Sequence, residues 1–307
     1  MAIIRALDPF RRLLFTLFFW FVLAVASGCE RTTPPSQNTA IDSAAIAVPK
    51  PVERPVVILY SYSPIGTELR QMAQVQSDTV WAGREIVYAH APHPVVLANS
   101  GVGLANAAAT TQYLIDRYDP TAIVFTGIAS AVNPAHMIGD LVIPERYVTF
   151  DYGYWGEQGF STDSVSVGRR DSAGFDRMLE IPVDRELFNA LGQAANDAAY
   201  LLRIVGRRLP EIHQGGVAIS GNAFLDQKAK RDQLYKQLKA QITDTESAAV
   251  VQTAHAAGVP VAVLRACAAP AGESATPQAQ TLLSDFFKNA AHNVALVLRQ
   301  FLAPAES

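Results

Sequence analysis

From Val56 onward the chain carries short, near-continuous apolar runs rich in β-branched residues, each followed by a longer amphipathic stretch. The runs span 56–60, 95–98, 122–125, 140–143, 216–219 and 261–264. Such runs do not alternate polar and apolar, so they suit strands buried on both faces. Between them, 104–118, 184–200, 227–238, 247–257 and 277–301 have helical spacing. The last sets Leu282, Leu283, Phe286, Phe287, Ala290, Val294, Val297, Leu298 and Phe301 on one broad stripe. Strands alternating with helices predict an α/β fold: a single domain over 56–302, with a central mixed, mostly parallel sheet flanked by helices and a tail at 303–307. A chain of 307 residues, half of them hydrophobic, can bury such a core. The aromatic, glycine-containing stretch 152–182 reads either as an insertion beside a site or as a surface loop packed by its own aromatics.

The first 28 residues have a different texture. Arg5, Arg11 and Arg12 precede an apolar run over 13–26, interrupted only by Thr16. At about 14 residues, it falls short of the roughly 20 needed to cross a bilayer as a helix, and it reads as a secretory signal. Its end, Ala26-Ser27-Gly28-Cys29, resembles the bacterial lipobox. The resemblance implies cleavage before Cys29, acylation of that residue, and a lipid anchor in the bacterial cell envelope facing the periplasm or the exterior. Residues 1–28 hold three Arg and one Asp, so 22 basic and 27 acidic residues follow them, a net charge of −5. The membrane partner would thus be held by acyl chains, at about 0.8 kcal/mol per buried CH₂, and not by charge. Residues 30–55 contain five prolines and no apolar period, which predicts a solvated tether with an end-to-end distance of roughly 28 Å.

Several chemistries are excluded. With 25 Lys and Arg against 28 Asp and Glu, the chain has no basic excess for nucleic acid. Two cysteines, Cys29 and Cys267, make neither a disulfide framework nor a Cys-rich zinc site. Of six histidines only His90 and His93 are close, with Pro92 between them and no third ligand nearby, so no metal is expected. Gly101-Val102-Gly103 has Asn106 where a dinucleotide loop needs its third glycine, and no cofactor is expected. Cys267 falls at the end of an apolar run and reads as an inert core thiol.

In an open α/β sheet, ligands bind beyond the carboxyl ends of the strands. The residues that follow the runs are Asn99-Ser100-Gly101-Val102-Gly103, Thr126-Gly127-Ile128-Ala129, Ser220-Gly221-Asn222-Ala223-Phe224, Thr243-Asp244-Thr245-Glu246-Ser247 and Arg265-Ala266-Cys267-Ala268-Ala269. With Gly139-Asp140-Leu141-Val142, this ordered set resembles the nucleoside phosphorylase and nucleosidase superfamily. It is most like the 5′-methylthioadenosine/S-adenosylhomocysteine nucleosidases, with their S-G-I-G, T-G, G-D-I-V, S-G-D-x-F, E-M-E-x-A and R-A-I-S-D motifs.

By that resemblance, Glu246 grips the ribose hydroxyls, Thr245 stands under the ribose, Ser100 lies near the sugar, Phe224 stacks on the base and Leu225 offers backbone hydrogen bonds. Arg265 orients the attacking species. The residues alone also allow a helix N-terminal carboxylate at Glu246 and a plain core role for Phe224. Two departures stand out. The family's base-protonating Asp falls on Ala269, and its water-activating Glu falls on Ile65. Ser63-Pro64 reads as an N-cap and first helical position, which puts Glu68 one turn on as a candidate base or an exposed helix carboxylate. Glu273 would need its loop to fold back. The resemblance therefore implies hydrolysis of the N-glycosidic bond of a purine nucleoside or thionucleoside. A catalytically degenerate nucleoside-binding lipoprotein is the alternative, and phosphorolysis is third. A homodimer is left open.

Because residues 30–55 offer no core, Cys29→Ala is expected to abolish acylation and membrane retention while the domain still folds. Mass spectrometry of the mature N-terminus checks this, and an unmodified start at any other residue would overturn it.

Overall fold

The computed structural model describes residues 53–272 and 277–303. The signal segment, Cys29, the tether up to residue 52, Glu273 and the side chains of Leu282 and Leu283 lie outside the described residues. In chain order the elements begin with β1 (Val56–Tyr60), α1 (Ser63–Met72), β2 (Gln74–Trp81), β3 (Arg84–His90), β4 (Pro94–Asn99), α2 (Leu104–Tyr118) and β5 (Ala122–Ala131). Next come β6 (Leu141–Ile143), β7 (Arg146–Thr149), β8 (Gly153–Gly156), β9 (Gly159–Thr162), β10 (Val165–Gly168), β11 (Phe175–Met178), β12 (Ile181–Pro182) and α3 (Arg185–Ala198). The rest are β13 (Ile212–Gln214), β14 (Val217–Ser220), α4 (Lys228–Leu238), β15 (Ala240–Asp244), α5 (Ser247–Ala257), β16 (Val261–Pro270) and α6 (Pro277–Leu302).

Twelve of these strands form one mixed sheet. β1 runs parallel to β4 on one side and to β5 on the other, and β16 runs parallel to β5. β15 meets the far end of β5 antiparallel and leads on to β14 and β7. Parallel pairings in this sheet outnumber antiparallel ones by six to five. Successive residues of a strand face opposite sides, and here both sides are covered. Ile58 of β1 packs with Ile65 and Leu69 of α1, Leu191 of α3 and Val294 and Leu298 of α6. Its neighbours Val57 and Leu59 pack with Ala107 and Leu114 of α2 and Val250 and Val251 of α5. That double burial explains why the strand sequence VVILY does not alternate.

The α/β class, the order of elements and the five helices expected from spacing are all observed. Asp184 caps α3, its side chain accepting from the Leu187 N–H at 2.8 Å. Three features differ from expectation. The N-cap of α1 is Tyr62 and not Ser63, with Pro64 in the first turn. Strands β2, β3, β7 and β15 carry no long apolar run; β2 in particular is an edge strand, solvent-exposed along almost its whole length. The stretch 152–182 contains two hairpins, β8–β9 and β10–β11, with Trp155 and Phe160 in contact at 5.4 Å between ring centroids. Among the described residues no helix is long and apolar enough to cross a membrane.

Leu114 is fully buried between α2 and the sheet. Leu114→Ala should cost about 2–5 kcal/mol, whereas Val80→Ala on the exposed edge should stay within about 0.5 kcal/mol. Urea unfolding should read both as shifts of midpoint at constant slope.

Candidate active site

The turn after β1, the middle of β5, the carboxyl end of β15 and the start of α5 meet around Arg265, which lies midway along β16 and has no solvent exposure. Its Nε lies 3.0 Å from Asp244 Oδ2, and its Nη1 donates to Ser61 Oγ at 2.8 Å. Nε and Nη2 both donate to Ser247 Oγ, at 3.1 and 2.8 Å, and the guanidinium lies 4.2 Å from the Phe125 ring centroid. Gly127 faces Arg265 across the β5–β16 pairing, and a Cβ there would stand 1.9 Å from Nη1. Glycine is therefore required by close approach.

Asp244 does the work expected of a helix cap. Its Oδ1 accepts from the N–H groups of Glu246 at 3.0 Å and Ser247 at 2.9 Å, and from Ser220 Oγ at 2.6 Å. Glu246 occupies the N-cap position of α5, yet its side chain caps nothing. Its Oε1 accepts from the Gly103 N–H at 3.0 Å and from Thr245 Oγ1, and Oε2 stands 3.7 Å from Arg265 Nη2. The turn Gly101-Val102-Gly103, with φ of +70° and +93° at its glycines, thus serves to hold a carboxylate.

Above this network lies a cavity of about 290 Å³ lined by Ser61, Tyr62, Val102, Ile128–Ser130, Ala223–Leu225, Thr243–Glu246 and Ala268. Four residues singled out in sequence, Glu246, Thr245, Phe224 and Leu225, share its wall. Phe224 is 83% exposed at its mouth, so it is not a core residue. Arg265 lies beneath, against Glu246. Ser100 does not line the cavity: it is buried and its Oγ donates to the Gly101 carbonyl at 2.8 Å. Nor does Glu68, whose Oε2 stands 3.3 Å from His292 Nδ1 of α6. Ile65 packs in the core. Ala269 is buried opposite Ser130, next to a bulge in β16 at Ala268.

Sequence reasoning gave no role to Ser61, Tyr62 or Asp244. Ser61 and Tyr62 follow β1 directly, so the strand-end rule applied to that strand reaches them. Two carboxylates against one guanidinium leave a net negative charge beneath the cavity, which favours hydroxyl donors and opposes phosphate. Burial and the nearby Asp244 push the Tyr147 phenol far above its ordinary pKa. Burial does the same to the Cys267 thiol, which is therefore no nucleophile. A larger groove of about 780 Å³ runs along α1, but its Arg70 is paired with Glu85 and Asp78. Among the described residues, metal-ligating side chains gather only at His136, Asp140 and His213, none of which lines the cavity.

Comparisons with known proteins identify the family and the fold. A 5′-methylthioadenosine/S-adenosylhomocysteine nucleosidase of Mycobacterium tuberculosis is 31% identical over 191 residues, covering 59% of this chain and 71% of that protein. An aminodeoxyfutalosine nucleosidase of Campylobacter jejuni is 27% identical, covering 60% and 71%. In fold, the chain matches the Helicobacter pylori 5′-methylthioadenosine/S-adenosylhomocysteine nucleosidase crystallised with butyl-thio-DADMe-Immucillin-A, with a TM-score of 0.65 and 20% identity over 82% of this chain and 98% of that one. The family model of the phosphorylase superfamily matches residues 62–303, which include every strand of the sheet but β1, the glycine turn and the carboxylate cluster, and the chain belongs to that superfamily.

Proposed function

We propose that the cavity is a purine-nucleoside site of the nucleosidase type. The observation that carries this reading is Glu246, a buried carboxylate on the cavity wall with Oε1 fixed by two donors. An ionised carboxylate offers about four acceptor positions, so Oε2 retains capacity for ribose hydroxyls. Phe224 then covers the base, and Thr245 supports the sugar. The similarity to nucleosidases supports hydrolysis of the N-glycosidic bond as the reaction, and the negative floor disfavours phosphate as the nucleophile. An anchor at Cys29 would hold this site at a membrane of the cell envelope.

Turnover of adenine-type substrates is expected to be slow. Where the resemblance places a proton donor stands Ala269, and the carboxylate of Glu68 is engaged by His292. Of the carboxylates on the cavity wall, Asp244 is taken up by α5 and Arg265, and Glu246 serves the ribose hydroxyls. This same observation favours a second reading, nucleoside binding without turnover.

Glu246→Gln keeps the shape and removes the charge, so it should weaken adenosine binding by about 1.5–3 kcal/mol, the worth of charged hydrogen bonds. Calorimetry should show the wild type preferring adenosine over 2′,3′-dideoxyadenosine and the variant nearly indifferent. Equal affinity of the wild type for both would remove Glu246 from the site.

Base release should be weak on adenosine-type nucleosides, faster on nitrophenyl riboside, whose leaving group needs no proton, and independent of phosphate. Ala269→Asp should raise the adenosine rate selectively. Binding with no release from either substrate would reject the hydrolase and leave the binding protein.

A further inference from the structure

Away from the cavity, the loop between β5 and β6 and strand β13 bring His136, Asp140 and His213 together, with ligand atoms within 4.8 Å of one another. Asp140 is almost wholly buried. Its Oδ1 accepts from Arg208 and from the Glu211 N–H at 2.9 Å. Its Oδ2 accepts from the Met137 N–H at 2.8 Å and faces His213 Nε2 at 3.2 Å. The Asp140 contact accounts for His213 Nε2, but Nδ1 of His136 has no such contact. That imidazole is 6% exposed, its ring centroid lies 4.1 Å from that of His213, and its Nδ1 is buried without a hydrogen-bond partner.

The tautomer of His136 follows from its neighbours. Gln241 Oε1 accepts from Asn133 Nδ2 at 2.8 Å, and Gln241 Nε2 donates to the Lys239 carbonyl at 2.8 Å. The atom 2.9 Å from His136 Nε2 is therefore an acceptor, so Nε2 carries the proton and Nδ1 presents a bare lone pair. Among the described residues no contact satisfies this buried nitrogen. A histidine whose second N–H is held by a carbonyl, beside a carboxylate whose other oxygen is held by an arginine, is the support that metal ligands receive.

We propose that His136 Nδ1, His213 Nε2 and Asp140 Oδ2 form a binding site for a divalent transition metal of the zinc class. Glu211, whose carboxylate comes within 4.0 Å of His213 Nε2 and is largely exposed, supplies a fourth ligand. The 3.2 Å between His213 Nε2 and Asp140 Oδ2 matches the edge of roughly 3.3 Å in a tetrahedron with bonds of about 2.0–2.1 Å. Two imidazoles select Zn²⁺ or Co²⁺ over Mg²⁺ and Ca²⁺. The bound ion would clip the 133–140 loop to β13.

The test is titration of the full chain with Co²⁺, read by visible absorption, and with Zn²⁺, read by calorimetry, each against excess Mg²⁺. One equivalent should bind, with the strong visible bands of tetrahedral Co²⁺ and no thiolate-to-metal band, which separates this site from Cys29. His136→Ala and His213→Ala should each weaken binding roughly 100-fold or more, while His90→Ala leaves it unchanged. Zn²⁺ should also raise the Tm of the wild type and not of His213→Ala. Absence of tetrahedral Co²⁺ bands in the wild type would overturn the proposal whatever the variants do. So would binding that survives both substitutions.

Discussion

A guanidinium without access to water must be matched on every side, and the end of this sheet is arranged around that requirement. Leaving a buried charge unpaired costs about 3–5 kcal/mol, a large share of the stability of any domain. Arg265 is matched by Asp244 from β15, Ser247 from α5 and Ser61 from the turn after β1, and Gly127 of β5 leaves room for it. Three segments distant in sequence, around Ser61, Gly127 and Asp244–Ser247, thereby meet on the one guanidinium.

Asp244 links this support to the ligand wall. Because its carboxylate caps α5 and pairs with Arg265, Glu246 is spared that task and turns towards Gly103 and the cavity. A carboxylate fixed by a backbone N–H and a neighbouring hydroxyl is preorganised and loses little freedom on binding. On the proposed reading the site keeps a carboxylate that holds a sugar, while Ala269 and Ile65 stand where the resemblance expects groups that move protons. Positioning and proton transfer are separable contributions to catalysis.

Much of this was legible from residue order. Apolar runs revealed the strands buried on both faces, and helical stripes revealed the helices that cover them. The ordered strand-end motifs placed Glu246, Thr245, Phe224 and Leu225 at one site. The strands that escaped notice, such as β2 and β15, owe their existence to pairing with a neighbour, and a polar edge strand carries little hydrophobic signal. The surroundings of Ser100 and Glu68 were not legible for a related reason. Spacing says which face of an element a residue occupies, but Ser100 satisfies its hydroxyl on the adjacent carbonyl and Glu68 meets His292, more than two hundred residues away in the chain.

The sequence by itself therefore determined the α/β class, the helices and the ladder of strand ends, because hydrophobic period and turn chemistry are local properties. It also determined that Ala269 and Ile65 stand where the resemblance expects acidic residues. Only the tertiary structure decided which carboxylate caps a helix and which faces the cavity, since Asp244 and Glu246 flank a single residue and differ only in what surrounds them. It alone brought His213 to His136 and Asp140, because hydrogen-bond accounting between distant segments is defined only once the chain has folded.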